Sequence, residues 1–242
     1  MIIKKFGGSS VATPERIQSI LELLQSDNWS DTALVFSAFG GVTDHLIKMS
    51  AMALEGNHQY KSLLAELEMR HLNAARELLP VAHQSPVLAN VKVLLNELED
   101  VLHGIYLVRE RTARTLDYIM SFGERLSAYI VAEALKSRGI RARFLDARTV
   151  IRTDDQFGHA RVDFDITYQL IHAHFSAGDE LRVITGFVAS TAQGETTTLG
   201  RSGSDYTAAI FAGALKAASL EIWTDVDGMM TADPRKVPSA FT

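Results

Sequence analysis

Apolar residues recur along this chain in two spacings, and the alternation between them predicts a layered α/β architecture. The chain opens on a short run, Ile2 to Phe6, that reads as a strand and gives way to Gly7-Gly8-Ser9-Ser10. Thr13-Pro14-Glu15 then signals a helix with proline at its first position, and Ile17, Ile20, Leu21 and Leu24 share one helical face. Thr32 to Ser37 repeats the strand pattern, with the unbroken apolar run Ala33-Leu34-Val35-Phe36 expected of a strand covered on both faces. Gly40-Gly41-Val42-Thr43 opens a second helix. Two strand, glycine loop and helix units in succession predict a mostly parallel sheet.

From Gly56 to about Arg114 the spacing becomes helical throughout, with one stripe through Leu63, Leu64, Leu67, Leu72, Ala75 and Leu78 and a second from Leu94 to Ile105. This segment reads as a helical insertion, a lid, a dimer surface or simply core. Ser121-Phe122-Gly123-Glu124 opens a helix that runs to Arg138, with Gly139 as its stop. Glu124 then lies near a helix start, where the dipole favours an acid by at most about 1 kcal/mol, or else it receives a substrate amine. Phe144-Leu145 is a short strand, Asp154 to Asp163 a loop or hairpin, Asp165 to Phe175 a helix, and Leu181 to Gly186 a strand. Leu220 to Trp223 is the last strand, ending in Thr224-Asp225-Val226-Asp227-Gly228.

The stretch Thr196-Thr-Thr-Leu-Gly-Arg-Ser-Gly-Ser-Asp-Tyr-Thr207 carries the densest chemistry. Its three threonine hydroxyls lead into Gly200 and Gly203, and a helix follows with Ser204 or Asp205 as its cap. Such a pattern fits a plain loop and cap. Arg201 between the two glycines favours an anion site instead, because a cap needs no planar cationic fork. Lys5, at the junction of strand and loop, reaches either solvent or an anion, and the adjacent glycine pair favours a phosphate.

In an open parallel sheet, ligands sit beyond the carboxyl ends of the strands. The loops Gly7 to Ser10, Ser37 to Thr43, Gly200 to Asp205 and Thr224 to Gly228 are therefore expected along one edge. Together they suit a nucleotide phosphate beside a small polar acceptor. The sequence contains no GxxxxGK[ST] and no GxGxxG after a strand, which excludes a P-loop and leaves a Rossmann dinucleotide site unsupported.

Composition narrows the classes. With 242 residues, 47% hydrophobic and 22% charged, the chain has an ordinary globular make-up. A net charge of −5 argues against nucleic acid as a partner. No apolar stretch is long enough to span a bilayer, and the start Met1-Ile-Ile-Lys-Lys has no signal-peptide pattern, so a cytoplasmic location and no membrane partner are expected. The absence of cysteine removes disulfides and thiolate metal sites, and the eight histidines form no ligand set.

Four motifs now stand in order along the chain: Lys5-Phe-Gly-Gly-Ser-Ser, Ser121-Phe-Gly-Glu, Thr197-Thr-Leu-Gly-Arg-Ser-Gly-Ser-Asp-Tyr and Trp223-Thr-Asp-Val-Asp-Gly-Met-Met-Thr-Ala-Asp-Pro-Arg. Together they resemble the aspartate kinases of the amino acid kinase family, from Ile2 almost to the last residue. The resemblance implies a three-layer α/β/α sandwich and transfer of the γ-phosphoryl group of ATP to the side-chain carboxylate of L-aspartate, with Mg²⁺ bridging the phosphates. It also implies site roles. Lys5 would neutralise the transferring phosphoryl group, with Asp205 orienting it as its catalytic partner. Arg201 would clamp an aspartate carboxylate, Glu124 its amino group, and Ser37, Thr43 and Ser204 would line the substrate pocket. Gly7, Gly8, Ser9, Thr224, Asp225, Met230 and Arg235 would hold the nucleotide.

The sequence departs from the family pattern at Ser9, where threonine is frequent, at Ser202, where glycine is common, and at Met230, where tyrosine is frequent. By resemblance the kinase domain would continue past Thr242, with a second phosphate-binding lysine and then regulatory domains. An uncovered sheet edge or apolar helix face, and association into a homo-oligomer, are the structural expectations that follow. The alternatives left open are a catalytically incomplete fragment that binds substrate or a partner, and a sibling kinase acting on another acid.

Overall fold

A computed structural model describes residues 1–25, 31–224, 228, 230–233 and 236–241. Its central strands are β1 (Ile2–Phe6), β2 (Thr32–Phe36), β3 (Ala142–Leu145), β5 (Leu181–Thr185) and β8 (Ser219–Trp223). They pair in parallel in the order β3-β5-β2-β1-β8. A smaller sheet of β4 (Arg152–Thr153), β6 (Val188–Thr191) and β7 (Thr196–Thr198) lies in the order β4-β6-β7, with β6 and β7 antiparallel.

The helices are α1 (Pro14–Gln25), α2 (Val42–Glu55), α3 (Tyr60–Leu78), α4 (Val81–Val108), α5 (Ala113–Ser137), α6 (Phe164–Phe175) and α7 (Gly203–Ala214). Alternation along the strands decides where they pack. Leu34, Phe36 and Val183 point into one core with α1 to α5, while Ile3, Ala33, Val35 and Ile184 point into a second core with α6 and α7. The result is the expected α/β/α sandwich. The strand β8, at one edge of this sheet among the described residues, carries Leu220 and Ile222 on one face and Trp223 on the other and leaves them exposed at 37%, 44% and 38%. No helix among the described residues is long and apolar enough to cross a membrane.

Three elements differ from the sequence reading. α5 starts at Ala113, eight residues before Ser121, with Thr112 accepting the Thr115 N–H at 3.1 Å as its cap. Arg114, Thr115 and Asp117 dilute the apolar spacing of those first turns, which hides them from a periodicity reading. Glu124 therefore sits in the middle of a helix, and a dipole-favoured acid at a helix start is no longer its explanation. β6 and β7 form a hairpin where the sequence pattern shows only loop, because its strands are four and three residues long. Neither Ser204 nor Asp205 caps α7. That place belongs to Ser202, which makes no capping bond through its side chain.

Candidate active site

A cavity of about 500 Å³ opens beyond the carboxyl ends of β1, β2 and β5. Lys5 and Gly8 line it from β1 and its loop, Ser37 to Gly41 from the loop after β2, Thr43 from the first turn of α2, and Gly200 to Asp205 from the turn before α7 and its start. Met120 and Glu124 of α5 close one side. Three of the four loops expected along this edge thus meet.

Lys5 is only 8% exposed, and its Nζ lies 2.6 Å from Oδ1 of Asp205, an ion pair rather than an aligned hydrogen bond. β1 presents Lys5 on the same face as Ile3, toward α7, which is why an aspartate in the first turn of that helix meets it. Asp205 is the counter-ion that the burial of Lys5 requires. Its own side chain stays 43% exposed and open to the cavity. Arg201 is exposed on the cavity wall and has no ion-pair partner among the described residues. An anion entering the cavity would meet both cations.

Glu124 is the buried acidic group of the cavity. It is 3% exposed, its Oε1 accepts the Ala38 N–H at 3.1 Å, and its Oε2 has no partner among the described residues. Burial raises its carboxyl to about 8, against the smaller opposing effects of the Ala38 bond and of Lys5. A group in that state gains most from a cationic partner. The close fit of α5 to the β2 loop depends on Gly123, where a Cβ would lie 2.8 Å from Cβ of Ala38. Gly123→Ala is expected to destabilise the fold by about 1–3 kcal/mol through this overlap, read as a lowered urea midpoint with an unchanged slope.

The start of α7 is held by side chains as well as by its own turns. Thr207 Oγ1 accepts the Phe187 N–H at 2.9 Å and donates to the Gly203 carbonyl at 2.9 Å. Gly203 packs where any Cβ would come within 2.5 Å of the Phe187 ring. Ser202 and Phe187 both adopt positive φ, at 56° and 67°. For Ser202, the residue that stands where the resemblance expects glycine, this backbone is strained by about 1–2 kcal/mol. Ser202→Gly is expected to stabilise the chain by about 0.5–1 kcal/mol once the greater freedom of the unfolded glycine is subtracted. Thermal denaturation checks this, and an unchanged or lower midpoint would count against strain at this turn.

Of the residues singled out in the sequence, Lys5, Ser37, Thr43, Glu124, Arg201, Ser204, Asp205 and Gly8 line the cavity. Gly7 lies beside it, with its N–H donated to the Trp223 carbonyl at 3.3 Å. Ser9, Thr224 and Met230 are not part of its lining, and Asp225 and Arg235 lie outside the described residues. The threonine triplet does not offer three free hydroxyls to an anion. Thr196 accepts from Arg148, Thr197 bonds Thr153, and Thr198 donates to Asp117.

Thr198 of the threonine triplet lines the cavity too, and so do Asp44, Ile47, Met120, Gly158 and Phe187, which the sequence pattern did not single out for it. Asp44 and Ile47 follow Thr43 on α2 and are legible once that helix is placed. Gly158 is not, because it arrives from a loop far away in sequence. No group of three or more His, Asp or Glu among the described residues could hold a metal ion.

A parallel sheet whose strand ends carry glycine loops, a buried lysine and an exposed arginine places the chain among α/β proteins with a charged cavity at the carboxyl edge of the sheet. The chain belongs to the amino acid kinase family, whose family model matches residues 1–242. It is 34% identical over 247 residues to lysine-sensitive aspartokinase 3 of Escherichia coli (strain K12), covering 99% of this chain and 52% of that one. With bifunctional aspartokinase/homoserine dehydrogenase 2, chloroplastic, of Zea mays, it is 33% identical over 240 residues, covering 98% of this chain and 26% of the maize protein. The crystal structure of E. coli aspartokinase III in complex with aspartate and ADP (R-state) matches it with a TM-score of 0.89 at 31% identity, over 99% of this chain and 52% of that one. The chain spans about half the length of the E. coli protein and about a quarter of the maize protein.

Proposed function

We propose that this chain carries the aspartate kinase reaction, ATP plus L-aspartate giving ADP and 4-phospho-L-aspartate. The observation that carries the reading is a cavity with Lys5 held by Asp205 on one wall and the buried Oε2 of Glu124, partnerless among the described residues, on another. A small acceptor with both an ammonium and carboxylates matches that distribution of charge. Relatives at 31% to 34% identity that are named aspartokinases, one of them crystallised with aspartate and ADP, support the same substrates.

The chemistry asks little of a base. The acceptor carboxylate is already ionised and is the nucleophile; its oxygen bonds to the γ-phosphorus as the bond to the ADP oxygen breaks, with no proton transferred. The work left for the protein is positioning and charge. Glu124 takes the amino group and Arg201 a carboxylate, while Ser37, Thr43 and Ser204 fill the remaining polar contacts. Lys5, oriented by Asp205, lies against the oxygens of the phosphoryl group in flight, with the N–H groups at the start of α7 beside it. Gly8 and the neighbouring Gly7 keep that approach free of side chains.

Magnesium fits this site as the counter-ion of the nucleotide, because the described residues offer carboxylates such as Asp205 but no chelating cluster. When bound it would neutralise charge on the phosphate oxygens. Thr224, Asp225, Met230 and Arg235 are proposed nucleotide contacts on the strength of the motif resemblance.

The test is ATP- and magnesium-dependent capture of the acyl phosphate with hydroxylamine, run with L-aspartate and with L-glutamate, alongside calorimetric titration of each ligand. Hydroxamate from aspartate alone supports the proposal. Failure to bind aspartate at millimolar concentration would overturn it.

A further inference from the structure

Asp117 is a carboxylate only 1% exposed, and nothing about it is explained by helix α5 alone. It accepts three hydrogen bonds from two other parts of the chain. Oδ2 takes the Gly158 N–H at 2.8 Å and the Thr198 N–H at 3.1 Å, while Oδ1 takes the Thr198 hydroxyl at 2.8 Å. Burial still raises its carboxyl, and the three bonds oppose that effect. A carboxylate placed at such cost, with every one of these bonds going to a loop or strand end, does more than fill core.

The two partners are both cavity residues. Gly158 and Thr198 line the candidate active site, and Gly200 follows Thr198 by two positions into the turn that presents Arg201. The turn at Gly158 also rests on that segment. A Cβ at Gly200 would lie 3.0 Å from Nδ1 of His159 and 3.6 Å from the Gly158 carbonyl, and Ala160 N–H donates to the Thr198 carbonyl at 3.2 Å. Asp117 precedes Glu124 by seven residues, two helical turns, on the same face of α5. One rigid helix therefore carries both Glu124 and the carboxylate that fixes the strand leading to Arg201.

We infer that Asp117 is a positioning residue for the acceptor end of the cavity, holding the Arg201 turn at a fixed distance from Glu124. The inference rests on the proposed aspartate site for its ligand, but not for its geometry. Its consequence is selective. Losing Asp117 separates the two groups that grip the amino acid and leaves Lys5 and the β1 loop, which come from other elements, in place.

Two variants test this, Asp117→Asn, which keeps the shape but loses an acceptor, and Thr198→Val, which removes one of the three bonds. Amide hydrogen exchange in the ligand-free chain is expected to quicken by about tenfold or more at Gly158 and from Thr198 to Arg201, while β1 and β2 stay protected. Unchanged exchange at those amides would overturn the inference whether or not aspartate is the substrate. In calorimetry, Asp117→Asn is expected to weaken aspartate about 10- to 100-fold and ATP by less than about twofold, with a smaller selective loss in Thr198→Val. Equal losses for both ligands would mark a general structural role and also overturn it. Wild-type chain that binds no aspartate would sink the functional proposal, and the exchange result would still decide the role of Asp117.

Discussion

Glutamine in place of Glu124 is expected to weaken L-aspartate binding by about 100-fold or more while making the empty chain more stable at neutral and alkaline pH. Both effects come from one buried atom. Oε2 of Glu124 has no partner among the described residues of the empty cavity, so its carboxyl stays protonated up to about pH 8, whereas in the unfolded chain it ionises near its ordinary value of 4.5. The folded-state value is the raised one. Between those two values the native chain binds more protons than the unfolded chain, so stability falls as pH rises from 4.5 and the loss is complete above about 8. The cost at about pH 8 is on the order of 4 kcal/mol, and glutamine, which never ionises, escapes it.

An arriving ammonium reverses the preference, because it pairs only with the ionised form. Aspartate affinity should therefore rise about tenfold per pH unit up to about pH 8, with close to one proton released per ligand bound below that point. Calorimetry in buffers of different ionisation enthalpy reads the proton directly. Urea unfolding of both proteins at about pH 5 and about pH 8 reads the stability change. Parallel pH profiles for wild type and Glu124→Gln would show that Glu124 is already ionised in the empty site, and a proton-linked gain in affinity would then be ruled out.

Lys5→Met is expected to lower the rate of phosphoryl transfer by about 10³-fold or more with aspartate affinity little changed. Methionine keeps much of the length and the apolar stem of the lysine and removes the charge. Asp205, 43% exposed, then regains water rather than being left as a buried unpaired carboxylate, so the fold should survive. Single-turnover hydroxamate formation compared with the calorimetric affinities separates the two effects. A rate within about tenfold of wild type would place Lys5 away from the transferring group.

How much of this site is legible in the sequence differs from residue to residue. Lys5 stands out because a lysine at a strand end beside two glycines has few bland explanations, and Arg201 because it lies between two more. Ser37 and Thr43 follow from the repeat of the same strand and loop unit. Glu124 is visible as a candidate, but in the wrong local setting, since Arg114 and Asp117 hide the first two turns of its helix. The threonines from 196 to 198 look like ligands in the sequence, whereas their hydroxyls are used within the fold. Asp117 gives no signal at all until the helix is extended far enough to show it on the face of Glu124.

The sequence by itself determined the succession of the main strands and helices, the mostly parallel character of the central sheet and the loops that end at its carboxyl edge. Those properties are written in spacings of two, three and four residues, and a short window is enough to read them. Motif resemblance already paired Asp205 with Lys5; only the tertiary structure decided that Oε2 of Glu124 is left without a partner among the described residues and that Asp117 ties the Arg201 turn to the same helix. Each of these depends on which faces of distant elements meet and on how much water is excluded between them. Burial and pairing set the charge of a side chain, and both are properties of the packed chain rather than of its neighbours in sequence.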